Sequence, residues 1–412
     1  LTNGGTLLSD FSYIIQKTTS GMETASITRC LSDSPFLEIP ETLDGYPVTS
    51  LQPYAFSPTR QPETCQNLQE LVLPKGLKQI GRYAFYGCTS LKMLTLPDSV
   101  CNIGAGLFVG CKNLAQLTYI LYEDETRCCL KELLQELPQE ILLILQQPNC
   151  SCHSPSLLQH AMHKTSGTNA DLQAAQKMPL CKLLFPAYFE ESVENTPARI
   201  TFSHIHGSGN YYRQCFLGGN VDFSKYDRQF PMAVAWERSS VLTELCFLRL
   251  EFPWHLTAQF QQQYLNYLKE HALFAGCFCL GIPFSVLPER LRAHQTGIHP
   301  LRLSQVSSGE SPQMGGFDGT VLLTDSFSET ADSFSEMLDT ESLSGSSRRT
   351  QNDAERLFHL NFFLENVQPD RETANLLLDL AADIQAAEYS GILMSYYGEH
   401  FAKKPVMKTF EL

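Results

Sequence analysis

The chain has 412 residues, room for two or three domains, and its 43% apolar and 18% charged residues are those of an ordinary soluble globular protein. A formal net charge of -14, with no basic stripe to offset it, argues against non-specific binding of nucleic acid. No stretch approaches the run of about 18 apolar residues that a membrane-spanning helix requires, so membrane insertion is not expected.

The opening residues, Leu1-Thr2-Asn3-Gly4-Gly5, lack the charged start and apolar core of a signal peptide. The fourteen cysteines are scattered, with Cys128 and Cys129 adjacent and Cys181, Cys215 and Cys246 inside apolar segments. That usage fits reduced, buried thiols, so the expected compartment is the cytoplasm, with a secreted or cell-surface location the less favoured reading.

A period of 23 residues then sets in. It relates Cys65, Cys88 and Cys111, then Leu68, Leu91 and Leu114, then Leu71, Leu94 and Leu117. Ile80-Gly81 returns as Ile103-Gly104, Phe85 as Phe108, Gly87 as Gly110 and Leu73-Pro74 as Leu96-Pro97. Such a period with leucines at LxxL spacing is the signature of a leucine-rich-repeat solenoid. Within one repeat, Leu94-Thr95-Leu96 alternates as a short strand and Pro97 ends it. Ile80, Ala84 and Phe85 stand at helical spacing and predict a short helical turn closed by Gly87. Upstream, Val48, Leu51, Tyr54, Ala55 and Phe56 match Leu77, Ile80, Tyr83, Ala84 and Phe85 at an offset of 29, which places a six-residue insertion, a surface loop, between Phe56 and Cys65. The three repeat cysteines form a ladder that cannot pair off evenly, and they read as small buried groups rather than redox or metal sites.

The phrase I-G-x-x-A-F-x-G-C-x-x-L-x-x-L-x-L-P-x-S-V over Ile80–Val100 resembles the bacterial BspA-type, or Treponema-type, leucine-rich repeat. The segment EIPETLDGYPVTSLQPYAF, Glu38–Phe56, resembles the usual opening of such arrays, so the resemblance covers about residues 10–122. Members are surface or intracellular binding proteins. The resemblance therefore implies interaction with a protein partner and names none.

Beyond the repeats, Leu130, Leu133, Leu134 and Leu137 recur at helical intervals and form the natural cap of an open solenoid end. Ile141–Leu145 suits either a helical turn or a buried strand. Residues 146–178 read as a linker or a loose helical pair. Its Cys150, Cys152, His153, His160 and His163 lack the spacing of a zinc site. In the next segment, Ile200, Phe202 and Ile205 predict a strand, and His204–Gly209 a turn. Gly207-Ser208-Gly209 with Arg213 nearby suggests an anion cradle or hydrolytic site, but no Walker lysine, third Rossmann glycine or nucleophile elbow accompanies it. Residues 180–230 also resemble the domain that follows such repeats in some clostridial proteins, which implies architecture and no catalytic residue.

Val234, Val241, Leu242, Leu245 and Leu248 predict one amphipathic helix ended by Pro253. Leu256, Phe260, Tyr264, Tyr267, Leu268 and Ala272 predict a second stopped by Gly276, and Ser285–His294 a third. Residues 304–351, rich in Ser, Gly and acids, read as a disordered linker. Ala354–Val367, Glu372–Ala387 and Glu388–Phe401 predict closing helices.

The expected fold is α+β: a short leucine-rich-repeat solenoid followed by a mainly α-helical, ankyrin-like or α-solenoid region. Its parts are residues 1–122, the repeat domain with an N-terminal cap; 123–178, capping helix and linker; 179–303, a mixed then helical domain; 304–351, the linker; and 352–412, helices packing on the second domain. The expected function is non-enzymatic protein binding, with no cofactor. The candidate contact residues are Glu70, Val72, Met93, Thr95, Gln116 and Thr118, outward by alternation with the leucines. The alternatives are a hydrolase or metal enzyme centred on His204, His206, Ser208 and Arg213, and a secreted adhesin.

Overall fold

Each repeat crosses two ladders, and its leucines line up only because adjacent coils pair in register. The computed structural model describes residues 10–18, 20–60, 64–122, 129–147, 179–195, 200–283 and 353–401. The strands of the repeat region are β1 (Phe11–Lys17), β2 (Glu23–Cys30), β3 (Phe36–Glu38), β4 (Thr42–Leu43), β5 (Tyr46–Leu51), β6 (Glu70–Val72), β7 (Gln79–Ile80), β8 (Met93–Pro97), β9 (Asn102–Ile103) and β10 (Gln116–Ile120). One sheet runs β1-β2-β5-β7-β9 and is parallel along that path from β2 onward; β4 pairs with β5 antiparallel, and β1 closes the N-terminal edge as an antiparallel hairpin.

The second sheet carries the leucine row. β3, β6, β8 and β10 are parallel, and their register sets Leu37 beside Leu71, Leu71 beside Leu94 and Leu94 beside Leu117. It continues past the sequence period into β11 (Ile141–Gln146), parallel to β10 with Leu143 beside Leu117, and closes on antiparallel β12 (Cys181–Phe185) with Leu183 beside Leu143. All six leucines are buried. Ile141–Leu145 is thus a strand, a further rung of the solenoid. Between β10 and β11 the short helix α1 (Leu130–Gln135) buries Leu130, Leu133 and Leu134. Just beyond it, Glu136 accepts from the turn after β9, Oε1 from Gly106 N at 2.8 Å and Oε2 from Leu107 N at 2.7 Å.

Opposite the leucines, Phe56, Phe85 and Phe108 stack in a column, with ring centroids 5.7 and 5.8 Å apart. The helical turn expected at Ile80–Gly87 does not form. Ile80 is taken into β7, and Tyr83 has φ 57°, a left-handed value that no α-helix continues through. The same repeat position has φ 63° at Tyr54 and 69° at Gly106. The Ile-Gly pair of the motif has a steric cause: a Cβ on Gly81 would lie 2.5 Å from Pro53 N, and one on Gly104 2.2 Å from Arg82 N. Coils stack too closely there for any side chain. The cysteine ladder has a fourth member, Cys30, which with Cys65 donates toward Ser32 O, so its count is even where the repeat alone supplies three. All four thiols are free and buried.

After β12 come the hairpin β13 (Phe189–Asn195) and β14 (Ile200–His206), the one-turn α2 (Gly209–Tyr212), and the ribbon β15 (Phe216–Leu217) and β16 (Asn220–Val221). His204 and His206 therefore end a strand rather than sit in a turn. Helices α3 (Phe223–Arg228), α4 (Phe230–Trp236), α5 (Ser239–Glu251), α6 (Ala258–Glu270) and α7 (Ala272–Cys279) come next. Val234 is exposed on α4 and not part of α5, because Glu237 takes an extended ψ of 156° that breaks the run. Gly276 does not stop a helix either. It lies within α7, where an added Cβ would meet Leu377 Cδ1 at 2.4 Å. That leucine belongs to α9 (Arg371–Asp383), which with α8 (Asp353–Asn366) and α10 (Ala387–Phe401) forms the closing helices and packs in the same compact unit as residues 10–283. Glu251 of α5 accepts from or donates to His359 Nδ1 of α8 at 2.6 Å, both groups being buried. The expected helix at Ser285–His294 and the acidic segment 304–351 lie outside the described residues.

Leu94→Ala, which empties a fully packed row, should cost about 2–5 kcal/mol, and Gly104→Ala about 1–3 kcal/mol or more, because backbone rather than a side chain must give way. The exposed Thr89→Ala should stay within about 0.5 kcal/mol. Urea unfolding of the three variants checks this; a neutral Gly104→Ala would contradict the close stacking of the coils.

Candidate functional site

Alternation along the strands sorts the second sheet into an inner leucine face and an outer one. The outer face holds all six candidate residues in two rows. Glu70, Met93 and Gln116 are register partners, and so are Val72, Thr95 and Thr118. Each is half-buried, with its strand neighbours inward. At the N-terminal end the rows extend to Phe36, beside Glu70, and Glu38, beside Val72, both exposed. At the other end the Gln116 row runs into Leu142 and Leu184, which are buried, while the Thr118 row continues into Ile144 and Lys182, both half-buried. Both rows are therefore accessible over four strands, about 14 Å at the usual interstrand spacing, and the Thr118 row stays half-exposed beyond them. Its chemistry is mixed: an exposed phenyl ring and two carboxylates at one end, a thioether and Val72 centrally, and hydroxyl and amide groups toward β10. Gln116 Nε2 donates to Thr118 Oγ1 at 3.4 Å. Short carboxylate clasps between coils stiffen the array. Asp33 accepts from the backbone N–H groups of Gln66 and Asn67, and Glu41 from those of Lys75 and Gly76.

Arg213, Ser208 and His206 of the alternative hydrolytic site each hold polar partners. Arg213 is buried, and its guanidinium donates to five carbonyls: Leu134 and Leu137 at 3.0 and 2.9 Å, Pro186 at 2.6 Å, Gly209 at 2.9 Å and Gln139 at 2.7 Å. Burial pulls its pKa down to about 10, still well above neutrality. It ties the segment around α1 and the residue after β12 to α2, and so joins the last coils to the start of the helical region. Ser208 donates to Glu237 Oε1 through both its amide and its hydroxyl, at 2.7 and 2.6 Å. His206 stacks on Phe189 at 4.4 Å and pairs with Glu191 at 3.1 Å. His204 pairs with Glu191 in the β13–β14 register. Among the described residues no group of three or more His, Cys, Asp or Glu is placed to hold a metal ion. Cys150, Cys152, His153, His160 and His163 lie outside the described residues.

Two buried polar clusters in the helical region carry no local sequence signal. Asp227 of α3 receives Arg249 of α5 through two bonds of 2.8 and 2.9 Å, and Tyr264 of α6 donates to it at 2.8 Å. Burial lowers the Arg249 pKa, but the bonds and charge of Asp227 outweigh it and leave the guanidinium above its ordinary value. The Glu251–His359 pair is the second, and burial raises the Glu251 carboxyl. Buried thiols are quenched in the same way, Cys181 being pushed up to about 12 by desolvation. Among the described residues no helix is long and apolar enough to cross a membrane.

The stacked coils, their inner leucine row and their open outer face define the class of the N-terminal region. Residues 39–124 match the BspA type leucine rich repeat region (6 copies), and this part of the chain is a leucine-rich-repeat solenoid of that type. Leucine-rich-repeat regions are typically protein-interaction modules. Solved structures with a similar segment include a leucine-rich cell surface protein from Faecalibacterium prausnitzii, 26% identical, with 29% of this chain and 34% of that one covered at a TM-score of 0.22. A leucine-rich-repeat protein from Bacteroides capillosus is also 26% identical, over 29% of this chain and 90% of that one, at a TM-score of 0.22. One from Bacteroides ovatus is 24% identical, over 28% and 31%, at 0.22. The chain thus spans about a third of the length of the Faecalibacterium protein. No curated protein matches it.

Replacing Arg213 by Met removes these donors from five backbone carbonyls, of which Leu134 and Gly209 keep a backbone N–H partner, so unfolding free energy should fall by at least about 3 kcal/mol. Arg213→Lys, with a charge but no planar fork, should recover only part. Guanidinium unfolding measures both, and an unperturbed Arg213→Met would contradict the role given to this side chain.

Proposed function

We propose that the chain is a non-enzymatic protein-binding scaffold whose partner seats on the outer face formed by Phe36, Glu38, Glu70, Val72, Met93, Thr95, Gln116 and Thr118. The observation that carries this reading is the contrast along one sheet: the Gln116 row, buried at Leu142 and Leu184, stands open over the four N-terminal strands, where the Thr118 row beside it is open as well. A half-exposed, rigid, twisted sheet face offers shape and modest apolar area with little ordering cost, which suits a folded partner or an extended peptide. The region's repeat type supports the same reading. Two further parts of the proposal are that Arg213 and Ser208 serve structure rather than catalysis, and that the protein works in a reducing cytoplasm, in keeping with eleven free cysteines among the described residues.

Thr95, at the centre of the face, is the position to test. Thr95→Arg should abolish retention of the proteins that the wild-type chain captures from its native host. Because the site is half-exposed, the melting temperature should move by no more than about 2 °C. Capture unchanged by Thr95→Arg would place the binding surface elsewhere. Thiol titration of the protein from its native host, denatured without reductant, tests the compartment: nearly all of the fourteen thiols should be free.

A further inference from the structure

A cavity of about 780 Å³ lies where the C-terminal ends of β10 and β11 meet the start of α3 and the loop after α5. Its size is that of a small-molecule site, and it sits at the kind of junction where such sites form. It is separate from the sheet face proposed above. Phe223, Trp254 and His255 make one wall. The Phe223 and Trp254 rings are 5.5 Å apart and inclined at 69°, and His255 lies 4.7 Å from Trp254 and 5.3 Å from Phe223. Tyr122 stands on the solenoid side, and Asp98 and Asp222 complete the set.

This wall is held in advance of any ligand. Arg249, locked to Asp227, donates to the carbonyls of Phe252 and Trp254 at 3.3 Å each and lies 5.5 Å from the Phe223 ring centre. His255 is kept at φ 53°, a left-handed conformation a non-glycine residue adopts only where its surroundings impose it. The chain's own cations already use the chemistry of the margins. Lys75 Nζ lies 4.8 Å over the Tyr122 ring, and Lys225 Nζ lies 3.4 Å from Asp222 Oδ2. Yet among the described lining residues there is no Lys or Arg.

From the bracket of rings, the two carboxylates and the absence of a lining cation we propose that this cavity binds a small organic cation with a quaternary ammonium head. Ring faces attract such a head through their quadrupoles, and the carboxylates add long-range attraction in a chain of net charge -14. A quaternary head is favoured over a primary amine because the carboxylates already accept bonds from the chain. Asp98 Oδ2 takes Tyr122 N at 2.8 Å, and Asp222 Oδ1 takes Lys225 N at 3.0 Å. They supply charge more than open acceptors.

The two tryptophans make the test direct. Trp236 is exposed on α4, so Trp236→Phe leaves Trp254, in the cavity wall, as the sole tryptophan reporter. Titrating full-length Trp236→Phe protein with choline should change Trp254 emission saturably, with half-saturation at about 1 mM or below. The uncharged isostere 3,3-dimethylbutan-1-ol should bind at least about tenfold more weakly. Asp98→Asn, which keeps an acceptor for Tyr122 N, and Asp222→Ser, which keeps a helix cap, should each weaken choline severalfold while leaving the melting curve in place. No saturable change up to about 50 mM, equal binding of the isostere, or full affinity in both folded variants would each overturn the proposal.

Discussion

In-register parallel pairing of successive coils is the constraint on which the rest of the structure depends. One residue of slip would turn every inner leucine of β6, β8 and β10 outward and bring Thr95 and Thr118 into the core. The register is held from both sides of the coil. The leucine row fixes one ladder and the phenylalanine column steadies the other, and between them Gly81 and Gly104 let backbone touch backbone. A single coil has none of these partners, so the leucine-rich-repeat region exists only as a stack.

A stack has ends, and here they are closed by different means. β1 folds back antiparallel at the start of one sheet, while the leucine sheet simply begins at β3 with Phe36 exposed. At the far end the solenoid passes through β11 to antiparallel β12, and Glu136 satisfies amides of the last turn. Arg213 then collects carbonyls contributed by the segment around α1, the residue after β12, and α2. Repeat region and helical region are therefore joined by buried hydrogen bonds and a shared sheet rather than by a tether. The clusters around Asp227 and Glu251 continue that pattern deeper into the helices. The last of them ties α8, which lies beyond the long intervening segment, back to α5.

What the sequence made legible was whatever the 23-residue period repeats: the leucine row at 71, 94 and 117, the phenylalanine column, and the outward rows between them. The outer members of the row escaped because they keep its geometry without its spacing. Leu37 precedes Leu71 by 34 residues, Leu143 comes 26 after Leu117, and Leu183 arrives antiparallel. Ile80, Ala84 and Phe85 have a spacing compatible with a helix or an irregular turn, and only the left-handed backbone at Tyr83 decides between them. Gly276 reads as a stop because glycine ends helices more often than it admits a neighbouring leucine. Arg213 beside Gly207-Ser208-Gly209 reads as an anion site, since its acceptors are backbone oxygens up to 79 residues away and no side-chain pattern announces them.

The continuation of the solenoid through residues 141–146 carries the account, since it sets where the Gln116 row closes and how the helical region is attached. Native-state amide hydrogen exchange reads it strand by strand. Ile141–Gln146 should exchange as slowly as Met93–Pro97 and Gln116–Ile120, with the same dependence on denaturant, because all three open only together. Rapid exchange in 141–146 beside persistent protection of 93–97 would show that the stack stops at β10, and the account would be wrong.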